Sequence, residues 1–149
     1  MGAIPVWPRW LGLAGLLPQW ACALAVLLGP EEWRWTALAT GWAYAALIFS
    51  FLGGMWWGIA ASRVREGERV PAWLWVASVL PSLVALATFL PWVFGLAWPQ
   101  PQLGVLAVAI AASLWVDRRI APSAPSWWLR LRVPLSLALG AATLLLALA

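Results

Sequence analysis

Apolar and polar positions divide this chain into five long hydrophobic blocks joined by short polar connections. The first block runs from Trp10 to Leu28 and stops at Gly29-Pro30. The others cover about 36–62, 72–93, 99–116 and 130–149. A helix needs about 20 apolar residues to cross the hydrocarbon of a bilayer. The pattern therefore predicts an all-α membrane protein, a single domain over 1–149 built as a bundle of five transmembrane helices. The second span is long: its 27 residues reach roughly 40 Å at about 1.5 Å per residue. The third span carries Pro81 and Pro91. Pro81 removes the ladder donor to the Ala77 carbonyl, so a kink is expected there. The run beginning after Arg9 continues to Leu28 and has four spans behind it, which points to a membrane helix and not to a cleaved leader.

Within the second span, Ala46, Ser50, Gly54, Gly58 and Ser62 recur every fourth residue, with Gly53 beside them. Small side chains let helix backbones approach closely in lipid, where small-xxx-small stripes mark packing faces. This stripe is expected to face another helix, of this chain or of a partner.

Composition strengthens the membrane assignment. The chain of 149 residues is 64% hydrophobic and 9% charged, against about 25% charged in an ordinary soluble domain. The net charge of +4 comes from nine arginines with no lysine. With the N-terminus inside, eight of the nine fall on inner segments: Arg9, Arg63, Arg65, Arg69, Arg118, Arg119, Arg130 and Arg132. Only Arg34 falls outside. Positive charge gathers on the cytoplasmic side, so the N-terminus is expected inside and the C-terminus outside. The basic residues are too few and too separated for a nucleic-acid surface. Most of the 15 tryptophans fall near span ends, where indole rings favour the headgroup boundary. Trp20 is the exception, near mid-depth.

Chemistry is scarce. Without histidine, a His-ligated haem, chlorophyll or zinc site cannot be built from this chain alone, and the single Cys22 excludes an intrachain disulfide. The five carboxylates, Glu31, Glu32, Glu66, Glu68 and Asp117, sit in loops or at span ends. Ion-coupled carriers place ionisable groups within the membrane; their absence argues against that mechanism. Two polar groupings remain. Asp117 is positioned to pair with Arg132, or failing that Arg130, across the short loop before the fifth span. Gln19, Trp20, Tyr44, Ser78 and Ser82, with Thr40, Ser50 and Thr88 nearby, either line a polar or ligand patch or only link helices by hydrogen bonds.

Several motifs resemble a known family. They are Trp10 to Pro18, Ser50-Phe-Leu-Gly-Gly-Met-Trp-Trp-Gly58, Val79-Leu-Pro81-Ser-Leu, Asp117, and Trp128-Leu-Arg-Leu-Arg132. The chain resembles the bacterial domain of unknown function numbered 3429, which also includes the animal mitochondrial transmembrane protein 69. The resemblance implies a small bacterial inner-membrane protein and supplies no activity. In that pattern a histidine often precedes the Trp-Gly pair, where this chain has Trp56. The five spans are also similar to the tryptophan-rich sensory proteins at the level of fold, but the Asn and Pro-Pro signatures expected there are missing.

Two functions are compatible with these features. The first is a non-enzymatic accessory or assembly subunit of a larger, energy-converting membrane complex, in contact with lipids and other transmembrane subunits. The alternative is a binder or carrier of a lipid, quinone or tetrapyrrole pigment, held without covalent attachment or histidine ligation. An enzyme is a distant third reading.

Overall fold

The computed structural model of the chain describes residues 3–149. Its helices are α1 (Val6–Ala14), α2 (Leu17–Leu28), α3 (Glu31–Arg65), α4 (Ala72–Val93), α5 (Gln100–Ile120) and α6 (Trp128–Leu148). A single 3-10 turn, Ala121–Ser123, leads from α5 towards α6, and no strand occurs among the described residues. Four segments are long and apolar enough to cross a membrane: α1 with α2, α3, α4 and α6. Helix α5 matches α6 in length at 21 residues but is not among the four. Gln100 and Gln102 at one end, and Asp117, Arg118 and Arg119 at the other, dilute its apolar run. It packs on α6, α3 and α4 and completes the bundle.

Helix boundaries follow local chemistry. The first block is broken, not continuous. Pro18 sits in the first turn of α2, a position where its missing N–H costs little, and α1 has already closed at Gly15 with a bond from the Leu16 amide to the Leu13 carbonyl at 3.0 Å. Helix α3 extends beyond 36–62 at both ends. Glu31 and Glu32 occupy its first turn and Arg63 and Arg65 its last, each matching the sign of the helix dipole there. It stops at Gly67, whose φ of 81° allows the Glu68 and Gly67 amides to reach the carbonyls of Arg63 and Val64 at 2.9 and 3.0 Å, the Schellman arrangement. Pro81 lies inside α4 without ending it.

The core lies along one face of α3. Ala45, Phe49, Leu52, Trp56 and Ala60 are buried there against α4, α5 and α6. A second cluster, with Cys22, Val26, Leu38, Leu103 and Leu146, fills the other end. Leu47, Phe51 and Val108 point outward and are more than half exposed, so the flanks present apolar side chains to lipid. Aromatic contacts gather towards both ends. Trp98 meets the rings of Trp35, Trp42 and Trp92 near the start of α5. Trp57 meets Trp75, and Trp73 meets Trp115, at the opposite end.

Within this chain, only the start of the small-residue stripe is packed. Ala46 is buried and Ser50 half-buried, but Gly54, Gly58 and Ser62 are exposed. A Cβ added at Gly54 or Gly58 would meet nothing within 4 Å. The reason is geometric. A strict period of four overshoots the helical repeat of 3.6 by about 40° per step, so the stripe winds away from the bundle. Gly53 is the true point of close approach. A Cβ there would collide with the Ser78 carbonyl and lie 3.2 Å from Pro81 Cγ, so α3 and α4 touch because Gly53 has no side chain.

A candidate ligand cavity beside a buried ion pair

Asp117 and Arg132 form the expected pair. Arg132 Nε lies 3.0 Å from Asp117 Oδ2, and both side chains are buried. Helix α5 continues past Val116 to Ile120, which turns Asp117 into the bundle at 0% exposure. Its other oxygen, Oδ1, accepts hydrogen bonds from the indole N–H of Trp56 at 2.9 Å and of Trp128 at 3.2 Å. One carboxylate thereby joins α3, α5 and α6. Three donors satisfy it where water cannot reach. Trp56, the position that the family resemblance associates with histidine, supplies one of them. Arg118 and Arg119 are exposed, and the Arg119 guanidinium stacks over the Trp115 ring at 4.5 Å.

The remaining polar candidates do not converge on one patch. Gln19 is fully buried and donates through Nε2 to Thr143 Oγ1 at 2.9 Å, tying α2 to α6. Tyr44 donates to the Gly15 carbonyl at 2.6 Å, across the break between α1 and α2. Ser78 turns back to the Leu74 carbonyl of its own helix. Thr88 accepts from the Trp42 indole at 3.2 Å. Trp20 is half-buried and its indole N–H has no hydrogen-bond partner among the described residues, while Thr40 and Ser82 are exposed. Only Gln19, Tyr44 and Thr88 link helices, each in a separate pair.

The unexpected feature is on α6. Trp128, Arg132, Ser136, Gly140 and Thr143 are all buried, and their spacing of three to four residues puts them on one face. That run is present in the sequence as polar and small residues at helical spacing, but Ser136, Gly140 and Thr143 belong to none of the motifs above. Arg132 and Ser136 border a cavity of about 430 Å³ between α1, α3 and α6. Its walls are otherwise apolar, with Leu11, Leu16, Phe51, Met55, Trp128 and Leu135 among them. Arg132 Nη2 and Ser136 Oγ are buried and have no hydrogen-bond partner among the described residues. The volume is within the usual range of small-molecule sites, which combine apolar walls with a few convergent polar groups. Among the described residues, no group of three or more His, Cys, Asp or Glu side chains comes together to hold a metal ion.

A family model described as a protein of unknown function, DUF3429, matches residues 4–148. The chain belongs to the DUF3429 family. The match takes in every helix, so the Trp56–Asp117–Trp128–Arg132 cluster and the cavity lie within the DUF3429 unit. No curated protein matches this DUF3429 chain significantly, and no solved structure does.

Proposed function

We propose that this chain is a non-enzymatic integral membrane protein that binds a hydrophobic small molecule in the cavity between α1, α3 and α6. The observation that carries this reading is the pair of buried, unpartnered polar atoms, Arg132 Nη2 and Ser136 Oγ, on residues that border an otherwise apolar cavity. A buried polar group without a partner destabilises the fold by about 1–3 kcal/mol. An occupant with a polar head and an apolar body removes that penalty. The eight arginines assigned to inner segments gather at the end of the bundle that holds this site, and that end faces the cytoplasm across a bacterial inner membrane. Purification in a mild detergent, followed by solvent extraction and mass spectrometry, tests the reading. One lipophile should accompany the parent in near-stoichiometric amount and be depleted from Leu11→Trp, which fills the cavity from its exposed wall. Equal recovery from both proteins contradicts it.

A second reading, an accessory subunit of a larger membrane complex, has its own support. Gly54 and Gly58 leave an open shallow face on α3 with no atom of this chain within 4 Å of an added Cβ, and a partner helix fits such a face. Gly54→Leu should then release the chain from its assembly without unfolding it. An assembly of unchanged size would count against this second reading.

A further inference from the structure

The polar atoms at the cavity also restrict what its occupant is. Four other buried hydroxyls, Ser78, Thr88, Ser113 and Thr143, bond back to carbonyls of their own helices at 2.6 to 2.8 Å. Ser136 does not, although it is 2% exposed. It also borders a smaller groove of about 250 Å³ between α5 and α6, but the larger cavity is the one it shares with Arg132. The two residues are one turn apart on the same face of α6.

Charge is the second restriction. Among the described residues, Arg132 is the only ionisable side chain bordering the cavity, and Asp117 already balances it at 3.0 Å. A phosphate or carboxylate head would add a second negative charge beside Asp117 and leave one charge uncompensated in a water-poor site. A cation would face the guanidinium directly. Asp117 spends Oδ1 on two indoles and Oδ2 on Arg132, so no carboxylate oxygen is left without a donor to recognise an amine or ammonium head. The free guanidinium nitrogen can only donate, and it requires an acceptor.

We infer that the cavity takes a lipophile that presents a neutral carbonyl oxygen, towards which the buried Arg132 Nη2 and Ser136 Oγ turn on binding. This rests on the ligand-binding reading above. Two membrane sources carry such an oxygen, the head of an isoprenoid quinone and the acyl ester of a neutral glycerolipid.

Quenching and shift of tryptophan fluorescence can test the inference, because Trp127 and Trp128 border the cavity. The protein, delipidated in dodecyl maltoside, is titrated with decylbenzoquinone, dioctanoylglycerol, decanoate and decylbenzene. The neutral carbonyl compounds should bind at least about tenfold more tightly than decanoate or decylbenzene, the ratio that one useful hydrogen bond supplies. Whichever of the two binds tighter names the source. Ser136→Ala should weaken that compound about tenfold and leave decylbenzene unchanged, with Ser136→Thr recovering part of the loss. Melting curves of the variants confirm that they are folded. Equal affinity for all four probes, abolished by Leu11→Trp, overturns the carbonyl inference and leaves a binder of apolar bodies. Tighter binding of decanoate overturns it in favour of an anion. Absence of saturable binding, with Leu11→Trp indistinguishable from the parent, overturns the ligand-binding reading itself.

Discussion

Arg132 reaches Asp117 through Nε alone, at 3.0 Å from Oδ2, and leaves Nη2 without a partner beside a cavity. Arginine can engage a carboxylate through two parallel bonds. Here the Trp56 and Trp128 indoles occupy Oδ1. The guanidinium therefore stays tethered at one point and keeps a donor in reserve. The same residue acts as a strut between α5 and α6 and as the polar corner of a cavity.

Removing one side of this pair should be severe. Asp117→Ala strands the Arg132 charge inside the bundle, and breaking a buried pair in this way destabilises by about 3–5 kcal/mol. Thermal unfolding in detergent is expected to shift down strongly. A double variant, Asp117→Leu with Arg132→Leu, should recover much of the loss because neither charge is then buried alone. A parent-like melt of Asp117→Ala would mean that the pair does not hold the helices.

Trp56→Phe keeps an aromatic ring, though a smaller one, and removes one donor to Asp117 Oδ1. A hydrogen bond to a charged group contributes about 1.5–3 kcal/mol. The expected result is a lower melting temperature with the helix content unchanged by circular dichroism. Trp57→Phe, on a side chain 49% exposed, should have much less effect.

Neighbouring glycines on α3 should respond in opposite ways. Gly53→Ala drives a Cβ into the Ser78 carbonyl, and α3 and α4 must separate, which destabilises by about 1–3 kcal/mol. Gly54→Ala meets no atom within 4 Å and gains about 0.5–1 kcal/mol from helix propensity. Thermal melts of the two single variants compare them directly. Similar losses in both would contradict the assignment of Gly53 as the contact point.

Thr143→Val removes the acceptor of the buried Gln19 amide while keeping the side-chain shape. Helix-to-helix bonds of this kind contribute roughly 1–2 kcal/mol in membranes. The variant should loosen α2 from α6, with faster backbone hydrogen exchange in α2 as the sign. Unchanged exchange in α2 would show that other contacts hold it.

How much of this was readable in the sequence depended on the range of the interaction. Helix class and four of the five expected spans follow from apolar block length and agree with the structure; the fourth block forms α5, a helix too polar at its ends to count among them. The break at Gly15–Leu16 was harder to read: Pro18 signalled a disturbance, but Pro81 inside α4 carries the same sign and does not end its helix. The Asp117–Arg132 pair was legible because a short loop joins the two span ends. Its partners Trp56 and Trp128 were not, since Trp at a span end reads first as an interfacial anchor. The stripe from Ala46 to Ser62 does not say which helix covers it: a period of four matches the 3.6-residue repeat only over one or two turns, so Gly54 and Gly58 turn away from this chain's own bundle. Ser136 went unread because a lone serine in an apolar helix ordinarily bonds its own backbone, and only the packed structure shows that this one does not.

The most direct measurement is a cryo-electron microscopy map of the protein reconstituted in lipid, at a resolution that places side chains around Arg132. The account predicts an elongated density in the cavity between α1, α3 and α6, with an uncharged oxygen within hydrogen-bond distance of Arg132 Nη2 and Ser136 Oγ. A collapsed or water-filled cavity, with Arg132 Nη2 and Ser136 Oγ turned onto groups of the protein itself, would contradict it.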